Sequence, residues 1–416
     1  MRLLAKSRYL PLLLVLTGGV AQAEDIRQRE YLTGDWSGTR EQWEEQGVEF
    51  EAIYTAEAWR NARGGIKQAN VFLDNLDVTF TLDAEKLFGW NGGTFFLYFL
   101  RTHGGSPSEN VGDTQAISNI DAPDTAKLYE AWYEQRFGAE GNSSVLFGLY
   151  DLNSEFDVIP SAGLFILSSH GIGPDFSQSG KNGPSIFPAT ALGLRLSTPL
   201  SEQGYLMAGV WDGVAGDPDD PHGTQVIIDT HDGLLMSLEA GLIIENENDD
   251  ERPDAKLALG HWRYSSEFPD LLDTDGLGNP VERKGNRGYY VLGEYAVSRE
   301  AGDSKQGLSL FGRIGTANDD INPIARYQGL GLVYTGALPG RDADRLGLAI
   351  GRIENGEDYR RALGLDARET HMEFTYRAQI LPWLAVQPDI QYVVNPGTDS
   401  ALENALVLGV RIEAAL

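Results

Sequence analysis

The stretch Asn75-Leu76-Asp77-Val78-Thr79-Phe80-Thr81-Leu82-Asp83 changes polarity at every residue. A strand sends successive side chains to opposite faces, so Leu76, Val78, Phe80 and Leu82 share one face, and Asn75, Asp77, Thr79, Thr81 and Asp83 share the other. The rhythm returns where Met372, Phe374, Tyr376 and Ala378 alternate with His371, Glu373, Thr375 and Arg377. Near the C-terminus Leu384, Val386, Ile390, Tyr392 and Val394 stand against Gln387, Asp389 and Gln391. Such segments suit a wall that is oily on one side and wet on the other.

Carried along the chain, the rhythm predicts strands starting near Val48, Val71, Gly93, Lys127, Ser144, Ala189, Gly204, Leu234, Ala255, Arg287, Gly307, Ala325, Arg345, Thr370, Trp383 and Glu403. Each is about ten residues long, the length a tilted strand needs to cross the hydrocarbon layer of a bilayer. The total of sixteen is even, as single-chain bacterial barrels require. Long connections cover residues 103–126, 153–188, 213–233 and 266–286, and between them lie short ones at 138–143, 199–203 and 381–382. A soluble sandwich has no reason to sort its loops by parity, whereas outer-membrane barrels pair short periplasmic turns with longer extracellular loops. No apolar run of about 18 residues is present, so a closed barrel is the one way this chain has to span a membrane. The expected fold is all-β: a transmembrane antiparallel β-barrel of 16 strands with both ends of the mature chain on the periplasmic side.

Three parts are expected. Residues 1–23 read as a signal peptide: Arg2, Lys6 and Arg8 precede an apolar stretch from Tyr9 to Leu16, and Ala21-Gln22-Ala23 has the small-x-small form of a cleavage site. Residues 24–47 form a periplasmic segment in which Asp35 or Ser37 caps a short helix through Glu45 that Gly47 ends. Residues 48–416 form the barrel. The formal charge is -28, and losing the three basic residues of the leader leaves -31, which excludes nucleic acid as a partner. With no cysteine there is neither a disulfide framework nor a thiolate metal site.

The segment Leu32-Thr33-Gly34-Asp35-Trp36-Ser37-Gly38-Thr39-Arg40, followed by a helix and a strand, resembles the opening signature of the OprB-type carbohydrate-selective porins. Two further regions are similar: Gly148-Leu149-Tyr150-Asp151-Leu152-Asn153-Ser154-Glu155-Phe156 leading to Gly163-Leu164-Phe165, and Gln387-Pro388-Asp389-Ile390-Gln391-Tyr392 leading to Asn395-Pro396-Gly397. The chain departs from the family at Ser37, where glycine is usual, and at Leu416, where such barrels usually end in an aromatic residue. The resemblance implies a sixteen-stranded outer-membrane barrel admitting monosaccharides such as glucose, with long outer loops folded inward to narrow the channel.

A barrel of this size leaves an aqueous channel, so selectivity must come from lumen-facing side chains and an inward loop. The candidate loop is residues 153–188, which carries Glu155, Asp157, His170 and Asp175 amid glycines and the apolar Phe165 and Phe176. Facing it are expected Arg101 near the end of the third strand, Glu130, Trp132 and Arg136 on the fourth, and Asp151 ending the fifth. Sugars offer hydroxyls and apolar ring faces, and this set supplies guanidinium donors, carboxylate acceptors and an aromatic surface. The plainer alternative is that lumen charges merely solvate the wall and pair with one another. Arg195, Arg313, Arg377 and Arg411 sit opposite leucines and so should also point into water, where they offset carboxylates and favour neutral solutes over cations.

The runs at residues 217–220, 246–251 and 273–276 are oxygen-rich enough for calcium but lack the twelve-residue loop spacing, and read first as solvated turns. Outside, such acids can meet lipopolysaccharide through divalent ions. The six histidines, at 103, 170, 222, 231, 261 and 371, lack the spacing of a helical zinc site and no metal is assigned to them. Neither a nucleophile elbow nor a phosphate-cradling loop is present. Three functions stay open: a passive porin for small neutral sugars, a general diffusion porin, and a barrel-rim hydrolase. Outer-membrane lipid is the expected surround, no cofactor is expected, and a homotrimer, common among porins, is open to the chain.

Overall fold

The computed structural model describes residues 25–138, 141–229, 231–246, 252–300 and 303–416; the expected leader lies outside them, as does most of the acidic run 246–251. Sixteen strands close on themselves through antiparallel pairing. They are β1 (Val48–Arg63), β2 (Asn70–Asp83), β3 (Gly93–Gly104), β4 (Thr125–Phe137), β5 (Ser143–Tyr150), β6 (Ala191–Pro199), β7 (Gly204–Asp212), β8 (Leu234–Ile244) and β9 (Ala255–Tyr264). After the hairpin β10 (Glu267–Thr274) and β11 (Pro280–Lys284) come β12 (Arg287–Glu300), β13 (Asp303–Ala317), β14 (Ile324–Thr335), β15 (Arg345–Asn355), β16 (Arg368–Leu381), β17 (Leu384–Val394) and β18 (Ala405–Ala415). Each barrel strand pairs with its neighbours in sequence, β9 with β12 across the hairpin, and β1 with β18 to close the seam.

The hairpin differs from the expectation of an open loop over residues 266–286. Its first strand is anchored by Phe268, which packs its ring against Tyr264 at 5.5 Å. Arg283 ties β11 back to Asp270 and Asp273, at 2.8 Å each, and Lys284 pairs with Glu267. Charged, water-facing strands of this kind carry no alternation with which to announce themselves.

Residues opposite one another in an antiparallel pair point to the same face. Leu76 lies opposite Tyr54 and Arg101, Val78 opposite Phe99, and Phe80 opposite Phe50 and Leu97. Around the wall this face is continued by Phe147, Leu194, Leu259, Leu330, Leu348, Ile390 and Leu408, all exposed. The other face carries Glu57, Arg195, Glu239, Arg313, Glu373 and Gln391, all buried. Burial is thus the inverse of a water-soluble protein, with leucine outside and carboxylate inside. That ordering requires lipid around the cylinder.

What fills the cylinder is chain. Residues 105–124 and 151–190 fold into it, and Phe156, Leu164, Phe165, Ile166, Leu167 and Phe176 become fully buried there. Phe176 stacks on Trp262 with centroids 5.1 Å apart and planes 4° from parallel. Lumen glycines make room for such rings: a Cβ on Gly193 or Gly209 would overlap the indole of Trp211, which lies flat across both. The inward loop packs on aromatic faces instead of a pleated backbone.

At the periplasmic end α1 (Thr39–Glu45) has Gly38 at its N-cap position, and of the two expected caps Asp35 does hold the first turn: its carbonyl receives the backbone N–H groups of Gly38, Thr39 and Arg40, and its carboxylate that of Glu41 at 3.3 Å. Gly47, at φ 92°, ends the segment. The Arg40 guanidinium lies over the rings of Tyr31 (4.0 Å) and Trp36 (4.2 Å) and donates to the carbonyls of Phe50 and Leu416. Since Leu32 also donates to the Ala415 carbonyl, the opening signature clasps the β1–β18 seam.

Candidate channel constriction

The two inward loops lie along one side of the lumen. Buried backbone N–H groups need acceptors, and charged acceptors make the strongest bonds; the wall supplies a row of carboxylates for this. Glu239 on β8 accepts from the Asp157 N–H at 2.8 Å, and Glu294 on β12 from Ser161 at 3.0 Å. Glu373 on β16 accepts from Ile166 and Leu167, at 2.7 and 3.1 Å. Gln387 on β17 and Lys256 on β9 donate to the loop carbonyls of Leu164 and Val158. Loop 105–124 is held likewise, with Thr114 and Gln115 on Glu369 and the Ile117 carbonyl on Gln391.

Arg313 on β13 completes the anchorage. Its guanidinium takes Asp157 bidentately at 2.7 Å and Asp175 at 2.6 Å, with all three side chains at 4% exposure or less. His170 lies beside Tyr327 and Phe165, and burial lowers its pKa to about 3, so the ring is neutral. Three of the residues expected at the constriction, Asp157, His170 and Asp175, are therefore fastened between loop and wall. They place the loop and do not line the water path.

Arg101 also stands apart from the expected group. It shares the outer face with Leu76 and Phe99, pairing with Asp74 at 3.0 Å, beside His103. The count along the strand decides this: Arg101 is two residues from Phe99, so a lumen position would have required a bulge in β3. The bulge falls in β4 instead, where Tyr129 slips in opposite Tyr98 and Phe99.

The remaining expected residues do come together, on the free side of the lumen. There β2–β4 keep partly exposed inward side chains, namely Asp77, Thr79 and Thr81, then Thr94, Phe96 and Tyr98, then Trp132, Glu134 and Arg136. Inward residues of β8–β16 such as Glu239, Trp262, Tyr290 and Glu373 are buried under the loop. The lumen surface that the loops leave partly open therefore lies on β2–β4. On it, Trp132 stacks with Phe96 at 4.8 Å and donates its indole N–H to Glu130 at 3.0 Å. Glu130 also accepts the Asp151 N–H, while Asp151 accepts from the Tyr129 hydroxyl and the Asn153 N–H. Toward the periplasm Arg195 joins Glu155 of the loop to Glu134 of the wall at 2.7 and 2.9 Å, next to the largely exposed Arg136.

Asp77, Phe96 and Tyr98 belong to this surface although they were not named for the site from sequence, and so does Glu134, which shares the strand parity of Glu130, Trp132 and Arg136. Tyr98 donates to Asp77 at 2.6 Å. Their signal was strand phase relative to Trp132. The acidic runs 217–220 and 273–276 are self-satisfied: Asp217 accepts the Asp219 N–H, Asp275 accepts from Leu277 and Asn279, and Asp273 pairs with Arg283.

Burial raises the Asp151 carboxyl to about 6. A carboxyl raised by burial is protonated as pH falls through that value, so the channel loses negative charge there while the neutral form relieves the burial penalty. Cation preference measured by reversal potential is expected to fall between pH 7 and pH 5, and Asp151→Asn to flatten the step. An equal step in the variant would place the titrating group elsewhere.

The model of the "Carbohydrate-selective porin, OprB family" matches residues 68–416. The chain belongs to the OprB family of carbohydrate-selective porins. Porin B of Pseudomonas aeruginosa is 26% identical over 421 residues, covering 92% of this chain and 91% of that one. The putative porin QuiX of Acinetobacter baylyi is 23% identical over 440 residues, covering 95% and 96%. The high-pH structure of Pseudomonas putida OprB covers 94% of this chain and all of that one, with a TM-score of 0.81 at 22% identity; the low-pH structure gives 0.61 at 20%. The protein is thus an outer-membrane sugar porin of a Gram-negative type, a channel and not an enzyme, which sets the hydrolase reading aside.

Proposed function

We propose that this porin passes small neutral sugars, monosaccharides such as glucose, by passive diffusion, with weak binding on the β2–β4 wall raising flux at low concentration. The observation that carries this is the Phe96–Trp132 stack, half-open to the lumen and flanked by the acceptors Glu130 and Asp77. An aromatic face packs the apolar side of a sugar ring, while carboxylates on one side and Arg136 on the other meet its hydroxyls. Binding must stay weak for release.

Glucose is expected to block single-channel conductance in planar bilayers in a saturable way. Trp132→Ala should weaken that block by about 1 kcal/mol, roughly fivefold in half-blocking concentration. A channel that no sugar blocks would instead be a general diffusion porin, a reading favoured by the mutual pairing of Arg195 with Glu134 and Glu155 and of Arg377 with Glu413.

The site we propose comprises Glu130, Trp132, Arg136, Asp151 and Glu155 with Phe96 and Tyr98, positioned by Asp157, His170 and Asp175. Arg101 and His103, on the outer face near the extracellular rim, suit the headgroups of lipopolysaccharide. A homotrimer and removal of residues 1–23 complete the reading; the intact mass of the protein extracted from outer membranes and its mass in native detergent complexes test both.

A further inference from the structure

Asp113 sits in the inward loop 105–124, and Glu369 and His371 face it from the extracellular end of β16. All three side chains have no exposure to solvent. His371 Nε2 lies 3.2 Å from Glu369 Oε1 and 3.7 Å from Asp113 Oδ2, and one ligand atom from each residue falls within 4.8 Å of the others. Glu369 is heavily used, accepting the N–H groups of Thr114 and Gly397 and the amide of Gln115. Asp113 is not. The Ser108 hydroxyl approaches it, yet neither carboxylate oxygen nor either ring nitrogen of His371 has a well-directed hydrogen bond.

Buried polar atoms left without partners are costly, and two carboxylates against one imidazole keep a negative excess whichever form the ring takes. A dication removes both problems at once. Bonds of about 2.0–2.1 Å to a tetrahedral centre put neighbouring ligand atoms about 3.3 Å apart, close to the two distances found. An imidazole nitrogen with two carboxylates suits zinc-class ions, whereas calcium takes 6–8 oxygens. Gln391, whose Oε1 is also unpartnered, stands beside the ring where it can accept the Nδ1 proton and leave Nε2 for the metal.

We propose that Asp113, Glu369 and His371 form a buried zinc-class divalent-cation site that staples loop 105–124 to the channel wall. The site is separate from the sugar-facing wall and holds the second inward loop in place, so the open width of the extracellular mouth depends on its occupancy.

The test uses the full chain, refolded into detergent in the presence of EDTA and, separately, of Zn(II) or Ca(II), with bound metal counted by mass spectrometry after gel filtration. About one zinc per chain is expected, no calcium, and a higher melting temperature in the zinc sample. Asp113→Asn, nearly isosteric, and His371→Gln should each lose the zinc. Co(II) added to the refolding mixture should give intense visible bands in the wild type only, which decides the matter even where a variant fails to fold. A wild type that folds equally well with EDTA and takes up neither zinc nor cobalt overturns the proposal and makes the cluster a proton-sharing one. Zinc retained at the same stoichiometry in folded Asp113→Asn overturns it too.

Discussion

Arg313→Ala is expected to release the inward loop and widen the channel. The substitution leaves Asp157 and Asp175, both wholly buried, without their cation. Breaking a buried pair by removing one partner costs about 3–5 kcal/mol, most of it from the stranded charge. Two charges stranded together exceed what local hydrogen bonds absorb, so the segment must either swing into water or take up protons. The loop has a route out, since it emerges from β5 and returns to β6 at the extracellular rim. Single-channel conductance should rise, glucose block should weaken, and protease should cut between residues 153 and 188 in intact vesicles. The triple variant that also carries Asp157→Asn and Asp175→Asn should recover part of the loss by removing the stranded charges. Unchanged conductance in Arg313→Ala would show that the pair does not hold the loop.

Phe176→Ala acts on the same loop through packing. Its ring is buried against Trp262, with Tyr290 6.4 Å away. Deleting a fully buried phenylalanine costs about 3–5 kcal/mol, the transfer loss plus the cavity left behind. Because the cavity lies between loop and wall, the outer face is untouched and the barrel should still insert. The expected result is a normally inserted porin with a lower thermal midpoint for loss of loop structure and noisy, flickering conductance. Phe176→Leu, which keeps most of the volume, should lie between the two. A quiet channel with wild-type stability in Phe176→Ala would mean that the loop is held by its polar bonds alone.

The cylinder was legible because lipid on one side and water on the other impose a physical rule on every residue, and Asn75 to Asp83 obeys it without exception. The rule places Arg195, Arg313, Arg377 and Arg411 inside, where they are. Applied to β3, it also places Arg101 outside with Phe99; proximity to a long loop is a weaker guide than strand phase. Inside the wall the rule falls silent, because a carboxylate that lines water and one that grips a loop backbone obey the same alternation. Glu239, Glu294, Glu369 and Glu373 could not be told from solvated wall residues until the loop lay against them. Apolar Phe165 and Phe176 did mark residues 153–188 as a packed segment. The same mark, Val111 and Ile117, was present in the shorter loop 105–124 and passed unread.

The long inward segment is tied to β6, β8, β9, β12, β13, β16 and β17 by separate side chains. It works as a set of tie-rods across one half of the cylinder. Lateral squeezing by the bilayer is resisted there and at β4, which the same segment holds through Asp151, and yields on β2 and β3, where breathing of the wall concentrates. Amide hydrogens of those two strands should exchange faster than those of β12 and β13, and the stretch of wall that moves is one a passing solute touches.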